Sequence, residues 1–278
     1  MDTAPEYLYH YTNIETLALI LKNRTIRFNS LDKMDDLQEN MTADLENAGK
    51  FVFISCWTDD KEESIPMWNM YASLEQGVRI RLKTAPFKVY STTADDLRKV
   101  SKLPVKDATE GKPLKSIIPV IEMFKDGFTV PQGITPDSSH LLHKVNYTNE
   151  QDKLYPKLLS ENNDNFIVAL DKMGKYKNTH WRFQNEWRYI LHILPLNMNQ
   201  PIDKSEKESL EFANEIRTDR AVQPFRFYDM VISDEAFADM QITMSPRISQ
   251  GSKAIVEILV KEFNPSAELL ESAIAGLI

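Results

Sequence analysis

LYHYTNIETLALILKNRTIRFNS, residues 8–30, changes its periodicity twice, and the order of those changes decides the reading of the fold. YLYHY at 7–11 is aromatic and extended in character, as in a strand. Thr12, followed three residues later by Glu15, has the spacing of a capping box, in which the hydroxyl accepts a first-turn N–H and the carboxylate reaches back. That predicts a helix from Asn13 to Lys22 with Ile14, Leu17, Ala18 and Leu21 on one buried stripe. TIRFNS then returns to β-branched and aromatic residues and reads as a second strand, closed by the polar turn SLDKMDD. His10 stands inside the first strand, either packed among the aromatics or presented to a ligand.

Outward from this unit, FVFISCW at 51–57 is a nearly continuous apolar run, the pattern of a central strand covered on both faces. SIPMWNMYA carries Pro66 where a first helical turn tolerates it, and EQGVRIRL alternates Val78, Ile80 and Leu82 as a strand. Between 91 and 140 the periodicity weakens. Pro104, Pro113, Pro119, Pro131 and Pro136 break it into short helical pieces, so this segment reads as a helical insertion within one domain spanning 1–278. HKVNY is expected as a strand, 149–175 as mostly helical with a break at Pro156, and FQNEWRYILHIL as a strand. Residues 205–220 read as a charged helix, and FYDMVIS and AIVEILVKEF as strands. With no internal repeat and no strict alternation of strand and helix, the class is α+β.

Composition narrows the function. The 42% of hydrophobic residues is enough to form a core, and a net charge of -8 gives no basic face for an extended nucleic-acid groove. The single cysteine, Cys56, allows no internal disulfide, the N-terminal residues lack the pattern of a signal peptide, and no window is apolar enough for a membrane span. A cytoplasmic protein without a membrane partner is the expectation. None of the 8 glycines falls in a phosphate-cradling motif. Five histidines occur without HExxH or another tight ligand spacing, so no metal site is assigned. Asp32, Asp35, Asp36 and Glu39 suit a turn and helix cap better than a cation site.

LYHYTNIETLALILKNRTIRFNSLDKMDD, FISCWTDDKEESIPMWNMYASLEQGVRI and WRFQNEWRYIL resemble, in order, three blocks of the bacterial domain-of-unknown-function family 2971. The opening, a strand with His-x-Thr, a helix and a short strand, is also distantly similar to the start of the ADP-ribosyltransferase fold. This second resemblance implies a split β-sheet core with flanking helices. Enzymes of its His-Tyr-Glu branch carry a histidine on the first strand, a tyrosine after a later one and a glutamate near the start of another. Those positions match His10 in YHYT, Tyr71 in WNMYA and Glu186 in QNEWR, with a longer Tyr-to-Glu gap than in better-known members. The implied substrate is NAD, the macromolecular acceptor is unassigned, and by analogy the biological role is defence or toxin activity.

The chemistry agrees with the residue types. Cleaving a nicotinamide–ribose bond builds positive charge on the sugar, which a carboxylate such as Glu186 stabilises. His10 can hold a ribose hydroxyl and Tyr71 can stack on the nicotinamide. Thr12, Arg27 and Gln184 complete the expected NAD-binding set: Arg27 for a phosphate, Gln184 on the same side as Glu186 if the segment is extended. Two other readings stand beside this one. In the first, a non-catalytic nucleotide-binding or interaction module keeps the pocket and has lost transfer activity; residue by residue, Tyr71 and Trp68 also read as core aromatics, and Glu186 as paired to Arg188 or Arg182 on a solvated face. In the second, a metal-dependent hydrolase uses the Asp32–Glu39 cluster.

Overall fold

The computed structural model describes residues 4–100, 113–162, 165–198 and 202–278. Strand β1 (Tyr7–Asn13) is followed by the helix Ile14–Asn23 and strand β2 (Thr25–Ser30), as the opening periodicity requires. The cap differs from the expectation by one residue. Asn13, not Thr12, accepts the Thr16 N–H through its side chain, which leaves Thr12 buried at the end of the strand. Leu17, Ile20 and Leu21 form the buried stripe, and Ile14 packs against the same cluster at its margin.

Strands β3 (Val52–Thr58) and β4 (Gly77–Lys83) come next. The segment expected as a helical insertion contains a strand pair, β5 (Tyr90–Thr92) with β6 (Leu114–Ser116), as well as the helices Ala94–Val100 and Val120–Met123. Residues 101–112 of it, including Pro104, lie outside the described residues. Ile117, Ile118, Met123 and Val130 from this segment join the main core.

HKVNY divides into β7 (Leu142–Lys144) and β8 (Asn146–Thr148). The expected long helix over 149–175 is replaced by one short helix, Gln151–Leu154, and an antiparallel pair, β9 (Leu159–Asn162) with β10 (Asn165–Val168). Pro156 ends the helix. Then come β11 (Tyr176–Asn178), β12 (Glu186–His192), the helix Ile202–Arg217 and β13 (Phe227–Val231).

AIVEILVKEF is helical, not a strand: the helix Gln250–Phe263 is capped by Ser249 and buries Val256 and Val260, four residues apart. Its neighbours Ile255 and Ile258 are exposed, so what looked like a continuous apolar strand is a stripe of helical period. The strands near that end are instead β14 (Gln241–Met244) and β15 (Glu268–Leu270).

These elements form a mixed α and β structure around a nine-stranded mixed sheet, in the order β13-β2-β3-β1-β4-β14-β15, with β12 on β3 and β7 on β12. Among the described residues, β14–β15 is its one parallel pairing. The sheet divides along β3. One edge of β3 pairs with β12 over its full length. The other meets β2 at Phe53 and Ile54 and β1 at Thr58, so β1 and β2 diverge between those contacts. Side chains alternate across this divide. Phe53 and Trp57 of β3 with Trp187, Tyr189 and Leu191 of β12 join the main core, which also takes Leu17 of the helix Ile14–Asn23 and Val256 of the helix Gln250–Phe263. Val52, Ile54 and Ile190 face the second cluster with Phe212 and Ile216. No helix among the described residues is long and apolar enough to cross a membrane.

Candidate functional site

The period of two on β12 fixes the chemistry of this face. With Trp187 and Tyr189 committed to the main core, Glu186 and Arg188 must project together to the opposite side, beside Cys56 of β3. Both are buried, and Arg188 is fully so. The Arg188 guanidinium donates from Nε to Glu186 Oε1 at 2.6 Å and from Nη2 to Glu186 Oε2 at 3.0 Å. The same Nη2 donates to Glu39 Oε1 at 2.6 Å, and Nη1 to the Gly174 carbonyl at 3.1 Å. Lys177 of β11 donates to Glu186 Oε2 at 3.2 Å and to Gln184 Oε1 at 2.9 Å, and its ammonium stands 4.7 Å from the centre of the Trp181 ring.

Two carboxylates and two cations therefore share one buried site. Their formal charges cancel, which is the condition under which such groups tolerate burial. The two acids respond differently. Burial drives both carboxyls upward, and at Glu186 the Arg188 and Lys177 charges overcome it and hold the group at about 2. At Glu39 burial prevails and the carboxyl lies above its usual range. The hydrogen bonding explains the difference, since Glu186 accepts three bonds from cations and Glu39 accepts one, with its Oε2 buried and without a partner.

His10 approaches from β1, where that strand leaves β3. Its Nδ1 donates to the Cys56 carbonyl at 2.8 Å, on the part of the β3 edge between the two pairing strands. A carbonyl only accepts, so Nδ1 carries the hydrogen of the neutral ring and Nε2 is left as an acceptor. Burial lowers the His10 pKa, against the opposing effect of that hydrogen bond. The ring lies 5.1 Å from that of Trp57.

Tyr71 comes from the wide helical turn Trp68–Ala72, whose Trp68 is buried against Tyr11 and anchored by an indole N–H bond to Glu63 at 2.9 Å. Burial, and then the negative charge of Glu186, raise the Tyr71 pKa. Its hydroxyl accepts a bond from Gln184 Nε2 and keeps its own proton to donate. Gly77 of β4 sits against this turn, where an added Cβ would lie 2.4 Å from the Ser73 carbonyl and 2.6 Å from Ala72 Cβ. Gly77→Ala is expected to cost about 1–3 kcal/mol through this overpacking and to displace Tyr71, as measured by thermal unfolding and by tyrosine fluorescence of the site.

His10, Tyr71, Gln184 and Glu186 thus line one cavity, together with Cys56, Trp57, Glu39, Lys177, Arg188 and, at the exposed rim, Asp35. Thr12 and Arg27 line an adjoining cavity that shares His10 and Tyr71 with the first. Arg27 is engaged there by Asp229 of β13, through bonds of 2.8 and 2.9 Å. Gln184 reaches the site by a route other than the one expected. It ends the turn of helix Thr179–Gln184, and the left-handed Asn185, φ 44°, redirects the chain into β12. The pairing of Glu186 with a neighbouring arginine is also present, but with Arg188 in the interior, while Arg182 is exposed.

Glu39, Lys177 and Arg188 are not among the NAD-site residues expected from the sequence, where Glu39 enters only with the hydrolase alternative and Arg188 only as a surface partner of Glu186. Arg188 carried a signal, two residues after an acid on an alternating strand; Lys177 carried none. The acidic cluster does not act as a unit. Asp36 caps the turn Leu37–Asn40, Glu39 turns inward to Arg188, and Asp32 pairs with Lys33 at 2.9 Å. Among the described residues no group of three or more histidine, cysteine or acidic side chains converges as a metal site.

No curated protein and no solved structure matches the chain. Residues 67–189, which include Tyr71, Lys177, Gln184, Glu186 and Arg188, match a family described as "Protein of unknown function (DUF2971)", and over that span the chain is similar to that family.

Proposed function

We propose that the cavity binds NAD and cleaves its nicotinamide–ribose bond in the manner of an ADP-ribosyltransferase. The observation that carries this reading is the convergence of His10, Tyr71 and Glu186, from three separate elements, on a single cavity. The division of the sheet between β1 and β2 at that point supports the likeness to the ADP-ribosyltransferase core. In this reading the His10 Nε2 accepts from a ribose hydroxyl, the tyrosine and indole rings pack on the nicotinamide, and Glu186, held ionised, faces the charge that develops on the sugar. Thr12 and Arg27 extend the site toward the rest of the dinucleotide, and a phosphate at Arg27 takes the place of Asp229. Calorimetric titration of NAD tests the binding half. His10→Ala is expected to weaken affinity by about tenfold, the scale of one buried hydrogen bond. Unchanged affinity would remove His10 from the ligand site.

One observation favours the second reading, a nucleotide-binding module without turnover. The charge of Glu186 is already shared with Arg188 and Lys177, which reduces what it offers to a cationic sugar. Against this, Asp35 at the rim adds negative charge beyond the balanced four. NAD binding without nicotinamide release would select the module.

A further inference from the structure

Cleavage of a glycosidic C–N bond leaves a second requirement that the trio does not meet. The incoming nucleophile, if it is a hydroxyl, must lose a proton, and His10, Tyr71 and Gln184 are poorly suited to take it. His10 is assigned to the ribose, Tyr71 is a donor with a raised pKa, and Gln184 has both ends occupied by Lys177 and Tyr71. Glu186 is held ionised by Arg188 and Lys177 to face the sugar, and the cavity wall contributes a second interior carboxylate, Glu39. Glu39 is 8% exposed, its Oε1 is fixed by Arg188 at 2.6 Å, and its Oε2 is buried with no hydrogen-bond partner. An orphaned buried carboxylate oxygen is costly unless something fills its place, and Glu39 is part of the cavity wall.

Its position is not an accident of a loose loop. The turn Leu37–Asn40 is pinned at one end by Asp36, which accepts the Gln38 N–H at 3.1 Å, and at the other by Asn40, which accepts the Gly49 N–H at 3.0 Å. Arg188 Nη2 ties Glu39 to Glu186, because one nitrogen donates to both carboxylates.

We infer that Glu39 is a second catalytic carboxylate, the general base that accepts the proton of a hydroxyl nucleophile, water included, as that nucleophile attacks the sugar. The inference rests on the NAD-cleaving reading above. In the step, the bond between the nicotinamide nitrogen and ribose C1′ breaks, and its electron pair leaves with neutral nicotinamide. A lone pair of the hydroxyl oxygen forms the new bond to C1′, and the hydroxyl proton passes to Glu39 Oε2. Glu186 stays ionised throughout and Glu39 titrates, a division of labour in which two neighbouring acids are set apart by their surroundings. The groups that face Glu39 are Arg188 and Glu186 of β12, Lys177 of β11, Tyr71 of the wide turn and Tyr147 of β8. Because burial lifts the Glu39 carboxyl, the base is lost by protonation above the ordinary carboxylate range, and the rate falls on that acidic side.

The test uses the full chain, NAD as substrate and sodium azide as a nucleophile that carries no proton. Glu39→Gln keeps an acceptor oxygen for Arg188, and is expected to lower nicotinamide release on the order of 100-fold, with azide restoring the rate by forming the glycosyl azide. Glu186→Gln is not expected to be rescued. In the unaltered protein, azide should also flatten the acidic limb of the pH–rate profile, a readout that does not depend on the variant folding. A folded Glu39→Gln protein with the unaltered rate, or one slowed but unresponsive to azide, overturns the role of Glu39 and leaves the NAD reading intact. An acidic limb unchanged by azide does the same. No nicotinamide release from the unaltered protein overturns both.

Discussion

Glu186→Gln is expected to lower nicotinamide release by roughly 10²–10³-fold while leaving the affinity for NAD within a few-fold of its original value. The carboxylate acts on charge that exists only as the glycosidic bond breaks, so its loss falls on turnover and spares ground-state binding. The environment of Glu186 adds a cost in stability. Were it on a solvated face, as one sequence reading had it, the loss of its pairing would cost less than about 1 kcal/mol. It is instead buried between Arg188 and Lys177, so its neutralisation leaves excess positive charge in the interior and is expected to cost up to about 3 kcal/mol. Loss of stability alone therefore does not separate a catalytic from a structural Glu186. The separation lies in rate against affinity, measured on folded protein: release reduced in proportion to binding would assign Glu186 a binding role only.

Arg188→Met is expected to be the most destabilising single change at the site, by about 3–5 kcal/mol near neutral pH, because it strands two buried carboxylates with Lys177 as their one remaining cation. Its pH dependence has a defined sign. In the unaltered protein the Glu186 carboxyl is depressed from 4.5 to about 2, so its contribution to stability is fully present above 4.5 and is lost as pH falls through about 2. Without Arg188 the two carboxyls lose the largest charge that opposes their burial, so a penalty for keeping them ionised is present at neutral pH and is relieved as acidification protonates them. The difference in unfolding free energy between the two proteins should shrink from pH 7 toward pH 4, as followed by denaturant titration. A difference independent of pH would place the role of Arg188 in packing.

The parts of the fold that were legible in the sequence are those where one period dominates. YLYHY, the first helix, TIRFNS, FVFISCW and the alternating GVRIRL occupy β1 to β4 as their patterns require. AIVEILVKEF misled because its β-branched residues occur on consecutive positions, and only burial reveals that Val256 and Val260 form the inward stripe. Of the pair after Pro156, β9 was hidden by its polar composition and the apolar run of β10 is too short to tell strand from helix, while the short β14 and β15 are fixed by their sheet partners more than by their own residues. The same distinction holds at the site. His10, Tyr71 and Glu186 stand on elements with readable local patterns. Lys177 lies on a three-residue strand, and Glu39 in a turn whose acids looked equivalent until tertiary contact sent one of them inward to Arg188.

The measurement that bears most directly on the central claim is free nicotinamide produced from NAD by the unaltered protein, followed over time by chromatography beside a calorimetric titration of the same sample. Saturable NAD binding accompanied by nicotinamide release that depends on Glu186 is the predicted result. Binding with no release above the spontaneous rate would contradict it and leave a nucleotide-binding module, and absence of both would remove NAD from the account of this cavity.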